Sequence, residues 1–332
     1  MSAYESPAAS ATQDSAPARP RWQMLLIRPE TMTFVLLVLG VVAGSLLSPF
    51  FLDIHYILSS FTLYAEFSIV ALILTMVIIA GEIDLSPAAN MALSACIFAW
   101  QQQAGMPVPL AVLIGLASGA LMGGVNALFV IGLKLPSIIV TIGTLTLYRG
   151  LAQIIAGDKS IRVPEWFIGV DKVTILGIPL PVVIFALEAI VLAIVLGGTI
   201  FGRQIYQIGT NEIAAQHAGI RTARIKLMLF LITGVVAAIA GIMTASRLGS
   251  VRYDLGLGGE LQMVLMAMLG GTYIFGGRGT ILGTFLAAWL LVIVSTGMIV
   301  ANVLPAVQLV VLGILLIVSI IATNFIYSRT QR

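Results

Sequence analysis

The sequence predicts an all-α polytopic membrane protein with about ten transmembrane helices. Of its 332 residues, 59% are hydrophobic, and the mean hydropathy is +1.08. Only 9% are charged, whereas soluble domains carry about 25%. Successive apolar runs approach the roughly 20 residues that a helix needs to cross a bilayer. The polar–apolar alternation typical of transmembrane barrels is absent, which favours helices.

The polar residues exclude most enzyme and nucleic-acid functions. The net charge is +3 and the basic residues are scattered, so nucleic-acid binding is not expected. The single cysteine, Cys96, excludes an intrachain disulfide and has no partners for a metal site. The sequence contains neither a phosphate-binding loop nor a metalloprotease or serine hydrolase motif. We therefore expect no catalytic residue, no metal and no cofactor.

Two regions follow from the distribution of apolar residues. Residues 1–21 are rich in Ala, Ser and Pro and are predicted to form a disordered cytoplasmic tail. Residues 22–332 are predicted to form one transmembrane domain. Its candidate spans are 32–50, 57–80, 87–103, 108–131, 136–155, 179–200, 225–246, 261–275, 280–300 and 304–326.

The positions of Lys and Arg predict the orientation. With the N-terminus in the cytoplasm, eleven basic residues fall in inside segments and five in outside segments. This bias predicts that both termini are cytoplasmic, which agrees with an even number of spans. Segment 202–224 then faces the cytoplasm, while 156–178 and 247–260 form external loops.

A stripe of small residues lies in the fourth span. Gly115, Gly119, Gly123 and Gly124 are spaced about one helical turn apart. Glycines at this spacing allow helix backbones to approach closely in lipid. We expect this stripe to pack against another helix.

The first break between spans carries two acidic residues. Gly81, Glu82 and Asp84 precede Ser86 and Pro87, which are typical of an N-cap and first helical position. Acids between apolar helices are costly unless they face water or a partner. The segment is therefore either a gate in a translocation path or a polar turn at the membrane surface.

Hydroxyl and amide side chains within the spans are candidates for a polar path. Thr141 and Thr144 follow Pro136 at the start of the fifth span, although threonine also bonds back to its own helix. Asn90 and Asn126 complete the predicted path. Three charges, Glu66, Arg149 and Glu188, also lie within spans, where such groups usually face the protein interior.

Segment 202–220 is polar and predicts a short, capped helix. Thr210 or Asn211 supplies the N-cap, Glu212 suits the first turn, and Gly219 supplies a left-handed C-terminal cap. Between the caps, the side chains of Ala214, Ala215 and Ala218 are small. The segment is either a docking surface for a partner protein or an ordinary connector.

A second glycine-rich break precedes the ninth span. Gly276, Gly277 and Gly279 permit a tight turn, with Arg278 between them. On the predicted topology this turn faces the cytoplasm, as does the first break. We hypothesise that Arg278 pairs with Asp84 or Glu82.

These motifs resemble the permease subunits of bacterial ABC importers of the ribose, xylose, rhamnose and autoinducer-2 type. The resemblance covers nearly the whole chain after the tail, and four motifs occur in the family's order. The chain departs from the usual Gly-Gly-Ile-Asp-Leu-Ser pattern, because Glu82 replaces the second glycine and Pro87 follows the motif. The four motifs are Gly81–Ser86, Pro136–Thr144 with Arg149 and Gly150, Gly202–Ile220, and Gly276–Gly283.

The resemblance implies a multi-pass protein of the bacterial cytoplasmic (inner) membrane that imports a monosaccharide or similar small polyol. It implies cytoplasmic ABC ATPase subunits, a second permease copy or paralogue, and a periplasmic sugar-binding protein as partners. The segment matching 205–220 resembles the helix that couples the permease to the ATPase. Within 22–332, the coupling segment is then 202–224, and the two glycine breaks act as gates.

Two other functions are compatible with the individual residues when the family resemblance is set aside. An ion-coupled secondary carrier would use Glu66, Asp84 and Glu188 as coupling groups. It would not need a capped cytoplasmic helix. A membrane scaffold would not need glycine and charged breaks, which cost stability. The sequence does not identify the sugar, nor does it distinguish a homodimer from a heterodimer.

Overall fold

The computed structural model describes residues 29–47 and 49–330, so the predicted tail 1–21 lies outside the described residues. Helices dominate this part of the chain. They are α1 (Pro29–Leu47), α2 (Ile54–Thr62), α3 (Ala65–Ile79), α4 (Pro87–Gln103), α5 (Val108–Ala127), α6 (Ser137–Ala156), α7 (Leu180–Gly198), α8 (Ile200–Thr210), α9 (Glu212–His217), α10 (Thr222–Leu248), α11 (Gly259–Leu269), α12 (Ile281–Val300) and α13 (Pro305–Thr330). A π-helical turn, Leu128–Gly132, extends α5, and 3₁₀ turns cover Pro49–Leu52, Glu165–Phe167 and Val170–Lys172.

The fold is that of an all-α polytopic membrane protein, with fewer full-length spans than the ten predicted. Six helices in the described chain are long and apolar enough to cross a membrane: α5 with its π turn, α6, α7, α10, α12 and α13. Helices α2 and α3 count as a seventh span only together, because they meet at a bend of 70°. The predicted spans 32–50 and 261–275 correspond to α1 and α11, whose apolar parts, Glu30–Leu46 and Gly259–Leu269, are shorter, and 87–103 corresponds to α4, which has 17 residues.

Helix α3 forms the centre of the core. Every residue of α3 except Phe67 is buried, as expected for a helix that is apolar on all sides. It packs against α7, α10, α11 and α12. Helix α4 is also mostly buried and lies among α5, α6 and α10. These two helices carry the ends of the first break, which therefore begins and ends inside the core.

The glycine stripe of α5 packs directly against α10, as predicted. A Cβ atom added at Gly119 would lie 2.4 Å from the carbonyl oxygen of Gly234, and one at Gly123 would lie 2.1 Å from that of Phe230. Such distances leave no room for a side chain. At Gly124, by contrast, the nearest neighbour is the flexible side chain of Leu231 at 3.5 Å. The close approach is thus confirmed for the face that includes Gly119 and Gly123.

The two segments predicted to be external loops meet at one end of the molecule. Strand β1 (Ile161–Arg162) pairs in antiparallel fashion with β4 (Ser250–Val251). A second small hairpin pairs β2 (Thr174–Ile175) with β3 (Ile178–Pro179). We call this the hairpin end.

The opposite end contains α8, α9 and both breaks, and we call it the α9 end. The first break is residues 80–86, between α3 and α4, and the second break is residues 270–280, between α11 and α12. Both ends of the described chain also lie here. Thr280 donates a hydrogen bond to Glu30 at the start of α1, at 2.9 Å. Tyr327, near the end of α13, donates to the carbonyl of Gly271 at 2.9 Å.

Candidate coupling and gating site

Four glycines bring both breaks and the end of α8 together, backbone against backbone. We call Gly81, Gly209, Gly276 and Gly277 the glycine node. The amide of Gly277 donates to the carbonyl of Ile79 at 2.8 Å. A Cβ atom at Gly209 would lie 1.7 Å from that same carbonyl oxygen, and one at Gly276 would lie 2.8 Å from the Cα of Gly81. Motifs from three distant parts of the sequence therefore form one contact.

The first break begins with a glycine cap. Gly81 has a φ of +86°, and the amide of Glu82 donates to the carbonyl of Val77 at 3.1 Å. The left-handed conformation of Gly81 and this hydrogen bond together provide a partner for a carbonyl group in the last turn of α3. The left-handed glycine also turns the chain out of the helix axis and into the glycine node.

The first break ends where the sequence predicted, because α4 begins at Pro87. The cap differs from the expected one, since the hydroxyl of Ser86 does not bond to the first turn of α4. Instead, Asp84 Oδ1 accepts a hydrogen bond from the amide of Ser86 at 2.8 Å, and Ser86 Oγ accepts one from Asn126 at 2.7 Å. Asp84 is 2% exposed, so it braces the break from inside.

Helix α6 fixes the middle of the first break. Ser137 Oγ accepts a hydrogen bond from the amide of Ile83 at 3.1 Å, and Thr141 Oγ1 donates to the Ile83 carbonyl at 3.2 Å. The backbone of Ile83 is thus held from both sides. The motif that begins at Pro136 therefore supports the break between α3 and α4.

The four residues predicted for the translocation path are buried within the protomer. Asn90, Asn126, Thr141 and Thr144 are each 5% exposed or less. Asn90 donates to the Gly119 carbonyl at 3.2 Å, and Thr144 donates to the backbone of its own helix. In this conformation Asn90, Asn126 and Thr141 bond to other segments of the same chain, whereas Thr144 bonds within α6. Their assignment to the path stays a prediction.

Helix α9 is the short capped helix that the sequence predicted. Of the two candidate N-caps, Asn211 is the one used, since its Oδ1 accepts from the amide of Ala214 at 2.9 Å. Thr210 instead donates to the Tyr206 carbonyl within α8. Gly219, with a φ of +84°, ends α9, and the amide of Ile220 donates to the Ala215 carbonyl at 3.1 Å.

The surface of α9 differs from the predicted one at Ala215. This side chain is 4% exposed and packs on the core, so it is not available to a partner. The exposed face includes Ala214, Gln216, His217 and Ala218, together with Ile213, whose side chain is 69% exposed. Ile213 was not among the residues predicted for this surface, although it is the one large apolar residue between Asn211 and Gly219 and was visible in the sequence as such.

Tyr206 joins α8 to the second break. Its hydroxyl donates to the carbonyl of Gly279 at 2.7 Å. Tyr206 lies outside the membrane-spanning helices, and burial, with the nearby Glu30 carboxylate, raises the pKa of its phenol above the ordinary value. The hydroxyl therefore stays protonated and remains a donor. Thr280 closes the second break by accepting from the amide of Gly283 at 3.1 Å, which caps α12.

The hypothesised pairing of Arg278 with Asp84 or Glu82 is wrong. The guanidinium of Arg278 lies 4.9 Å from the ring centroid of Tyr327, in a cation–π contact. Glu82 pairs instead with Lys226 on α10, at 2.6 Å, and Lys226 also pairs with Glu212 of α9, at 2.6 Å. Lys226 is one of the eleven basic residues assigned to the inside segments, and no sequence pattern indicates its two ion pairs.

A cavity of about 510 Å³ opens beside this ion-pair cluster. It lies between α9, the start of α10 and the connection from α5 to α6. Its walls carry both signs of charge and several apolar side chains. The lining includes Glu82, Lys134, Pro136, Glu212, Ile213 and Lys226.

Comparison with known proteins identifies the class to which this architecture belongs. Residues 55–320 match the family described as the permease component of branched-chain amino acid transport systems. The chain belongs to this family of transport permeases. The permease is a membrane-spanning subunit of an ABC importer of the inner membrane and is not itself an enzyme. Such a subunit works with ATPase and substrate-binding-protein partners.

Individual relatives agree with this membership. The permease is 34% identical to the autoinducer 2 import system permease protein LsrD of Escherichia coli K12 over 309 residues, which cover 91% of the permease and 94% of the relative. The LsrD proteins of Shigella flexneri and E. coli O157:H7 are 34% and 33% identical, respectively, over the same shares. No solved structure matches the chain.

Of the three charges predicted within the spans, Glu66 and Arg149 have polar partners in the described chain. Arg247 donates to Glu66 at 2.8 Å, and Glu66 is 2% exposed. Arg149 donates to the carbonyls of Tyr253 and Leu255 at 2.8 and 2.6 Å. Within the described residues, Glu188 Oε2 is buried without a hydrogen-bond partner. Family membership selects the ABC importer over the ion-coupled carrier, for which Glu66, Asp84 and Glu188 were the candidate coupling groups.

Proposed function

We propose that this permease imports a small hydroxyl-rich solute of the autoinducer-2, rhamnose or pentose class. The support is its similarity to proteins named as autoinducer 2 import permeases, which extends over 91% of the chain. The low charged fraction, 9%, also suits a neutral solute, because charges within a membrane are costly.

We propose further that cytoplasmic ATPase subunits dock on the exposed face of α9. This face is short and capped at both ends, and it presents the small side chains of Ala214 and Ala218 beside the exposed Ile213. Small side chains let a partner backbone approach closely, and one exposed apolar residue supplies an anchor. ATP binding and hydrolysis on the partner would then move α9.

The same proposal includes the topology. Ten crossings, with both termini and segment 202–224 in the cytoplasm, agree with the excess of Lys and Arg in the segments assigned to the inside. Both ends of the described chain lie at the α9 end, which is also compatible with an even number of crossings.

A second permease copy or paralogue would complete the translocation path. Large apolar side chains remain exposed along α1, α6, α7 and α13, where they would contact lipid or the second subunit. They include Leu39, Ile139, Ile190 and Leu309.

The observation that carries the proposal is the direct connection of α9 to the gates. Asn211 begins α9 only two residues after Gly209, which touches Ile79 and Gly277 in the glycine node. A displacement of α9 therefore reaches both breaks over a few backbone bonds. The two breaks are the points at which α3, α4, α11 and α12 can change direction.

We expect Ala214→Arg to abolish ATPase docking while leaving the permease folded. Ala214 is exposed on α9, so a long charged side chain would hold the partner away without entering the core. Pull-down of tagged permease, with quantification of the co-purified ATPase, measures the effect. We expect at least a tenfold loss, which corresponds to about 1.4 kcal/mol.

Ala104→Arg is the matched control. Ala104 is also an exposed alanine at a helix terminus, but it follows α4 at the hairpin end. This variant should retain the ATPase as the parent does. Undiminished ATPase recovery with Ala214→Arg would contradict docking on α9.

The substrate class is tested with the reconstituted importer. Autoinducer 2, rhamnose and ribose should each be tried with the binding protein, with leucine included because of the family's description. We expect a hydroxyl-rich solute to stimulate ATP hydrolysis and accumulate in the vesicles. Stimulation by leucine alone would reject the proposed substrate class.

A further inference from the structure

We propose that Lys226 is a positioning residue that couples α9 to the first break. It would do so by holding Glu212 and Glu82 at the same time. The inference rests on the proposed function, since it assumes that a partner moves α9. It adds the link through which that movement reaches the gate.

The geometry places one ammonium group between two carboxylates on different elements. Lys226 Nζ lies 2.6 Å from Glu82 Oε1 and 2.6 Å from Glu212 Oε2. The side chains of Lys226 and Glu82 are only 9% and 12% exposed, whereas that of Glu212 is 40% exposed. Water therefore screens the inner pair weakly and the outer pair more strongly.

The three residues differ in how firmly the chain holds them. Lys226 lies in the second turn of α10, a helix of 27 residues that packs against α3, α4 and α5. Glu212 lies in a helix of six residues that is bounded by Asn211 on one side and by a turn at Ala218 and Gly219 on the other. Lys226 therefore keeps its position because α10 is firmly packed, whereas Glu212 can move with α9 when a partner docks.

Glu82 connects a displacement of Glu212 to the first break. It follows Gly81 of the glycine node and precedes Asp84, whose carboxylate holds the amide of Ser86 at the start of α4. Because one ammonium serves both acids, withdrawal of Glu212 changes the field and the hydrogen bonding at Glu82. The position and the tilt of the first break then depend on the position of α9.

The adjacent cavity gives these groups room to rearrange. All three charged side chains line the cavity of about 510 Å³. A close-packed interior would resist such a movement. Glu82 is also the residue that replaces a glycine of the related permeases' motif. The replacement thus supplies the ion-pair link to Lys226, in place of a bare turn.

The test compares coupling with assembly in the complete reconstituted importer. Variants Glu82→Gln and Lys226→Met remove the link, Lys226→Arg preserves its charge, and Lys134→Met is the matched control. Lys134 lines the same cavity and forms no ion pair within the described residues. ATPase co-purification, ATP hydrolysis and solute transported per ATP are measured for each.

We expect Glu82→Gln and Lys226→Met to keep the ATPase bound while solute transported per ATP falls on the order of tenfold, a size typical of coupling between protein sites. Lys226→Arg and Lys134→Met should retain most of the parental ratio. A purely structural role would lower folded protein, hydrolysis and transport together and leave the ratio unchanged, which would overturn the inference. A parent permease that binds no ATPase would overturn the proposed function as well, so the two failures are distinguishable.

Discussion

Replacing Gly209 with alanine should abolish transport and destabilise the permease. The added Cβ atom would lie 1.7 Å from the carbonyl oxygen of Ile79 and 2.4 Å from the amide nitrogen of Gly277. Both neighbours are backbone atoms, so neither can rotate away. Overpacking a core typically costs about 1–3 kcal/mol. Because two chain segments must separate here, we expect a cost at or above the upper end of that range.

Thermal unfolding of the detergent-purified permease measures the stability, and vesicle uptake measures transport. Gly197→Ala is the matched control, because Gly197 lies in α7 with open space around its Cβ position. Alanine there should be neutral or should stabilise the helix by up to about 1 kcal/mol. Parental stability and uptake in Gly209→Ala would mean that the glycine node is not closely packed in the membrane.

Local features of the site could be predicted because their causes are local. The C-terminal cap at Gly219 and the start of α4 at Pro87 depend on residues within one helical turn. The glycine stripe of α5 was predictable for a similar reason, since its spacing alone marks a close approach. The helix that receives it, α10, was not identifiable from one sequence.

Contacts between distant elements could not be predicted. Nothing in the spacing of Glu82, Glu212 and Lys226 indicates that they converge, because the convergence depends on how α3, α9 and α10 pack. The same limit explains Ala215. On a helix of six residues, the buried side is set by the neighbouring α10 and not by a hydrophobic period long enough to detect.

The number of spans was difficult to predict for a different reason. Helices α4 and α11 have 17 and 11 residues and are largely buried by protein, so apolar runs alone do not reveal their depth in the membrane. The 70° bend between α2 and α3 divides one apolar run into two helices. A hydropathy profile depends only on the residue types along the run, so it does not show a bend that results from packing.

Replacing Arg247 with methionine should cost about 3–5 kcal/mol of stability, as is typical when a buried ion pair loses one partner. Arg247 Nε donates to Glu66 Oε1 at 2.8 Å, and the Glu66 side chain is only 2% exposed. Without Arg247 the carboxylate would be buried and unpaired. Methionine approximates the apolar stem of the arginine, so the variant removes mainly the guanidinium group with its charge and hydrogen bonds.

The double variant Arg247→Met with Glu66→Gln should recover much of that stability, because it removes the unpaired charge as well as its partner. Arg252→Met is the control, since Arg252 and Asp254 form an exposed pair with side chains 47% and 39% exposed. Its loss should cost no more than about 1 kcal/mol. Thermal unfolding of all three variants, with ATP-driven uptake measured on the same samples, completes the comparison.

Recovered stability with recovered uptake would mean that Glu66 serves packing and not ion coupling. A double variant that is stable but takes up no solute would instead give Glu66 a part in transport, which its pairing with Arg247 does not indicate.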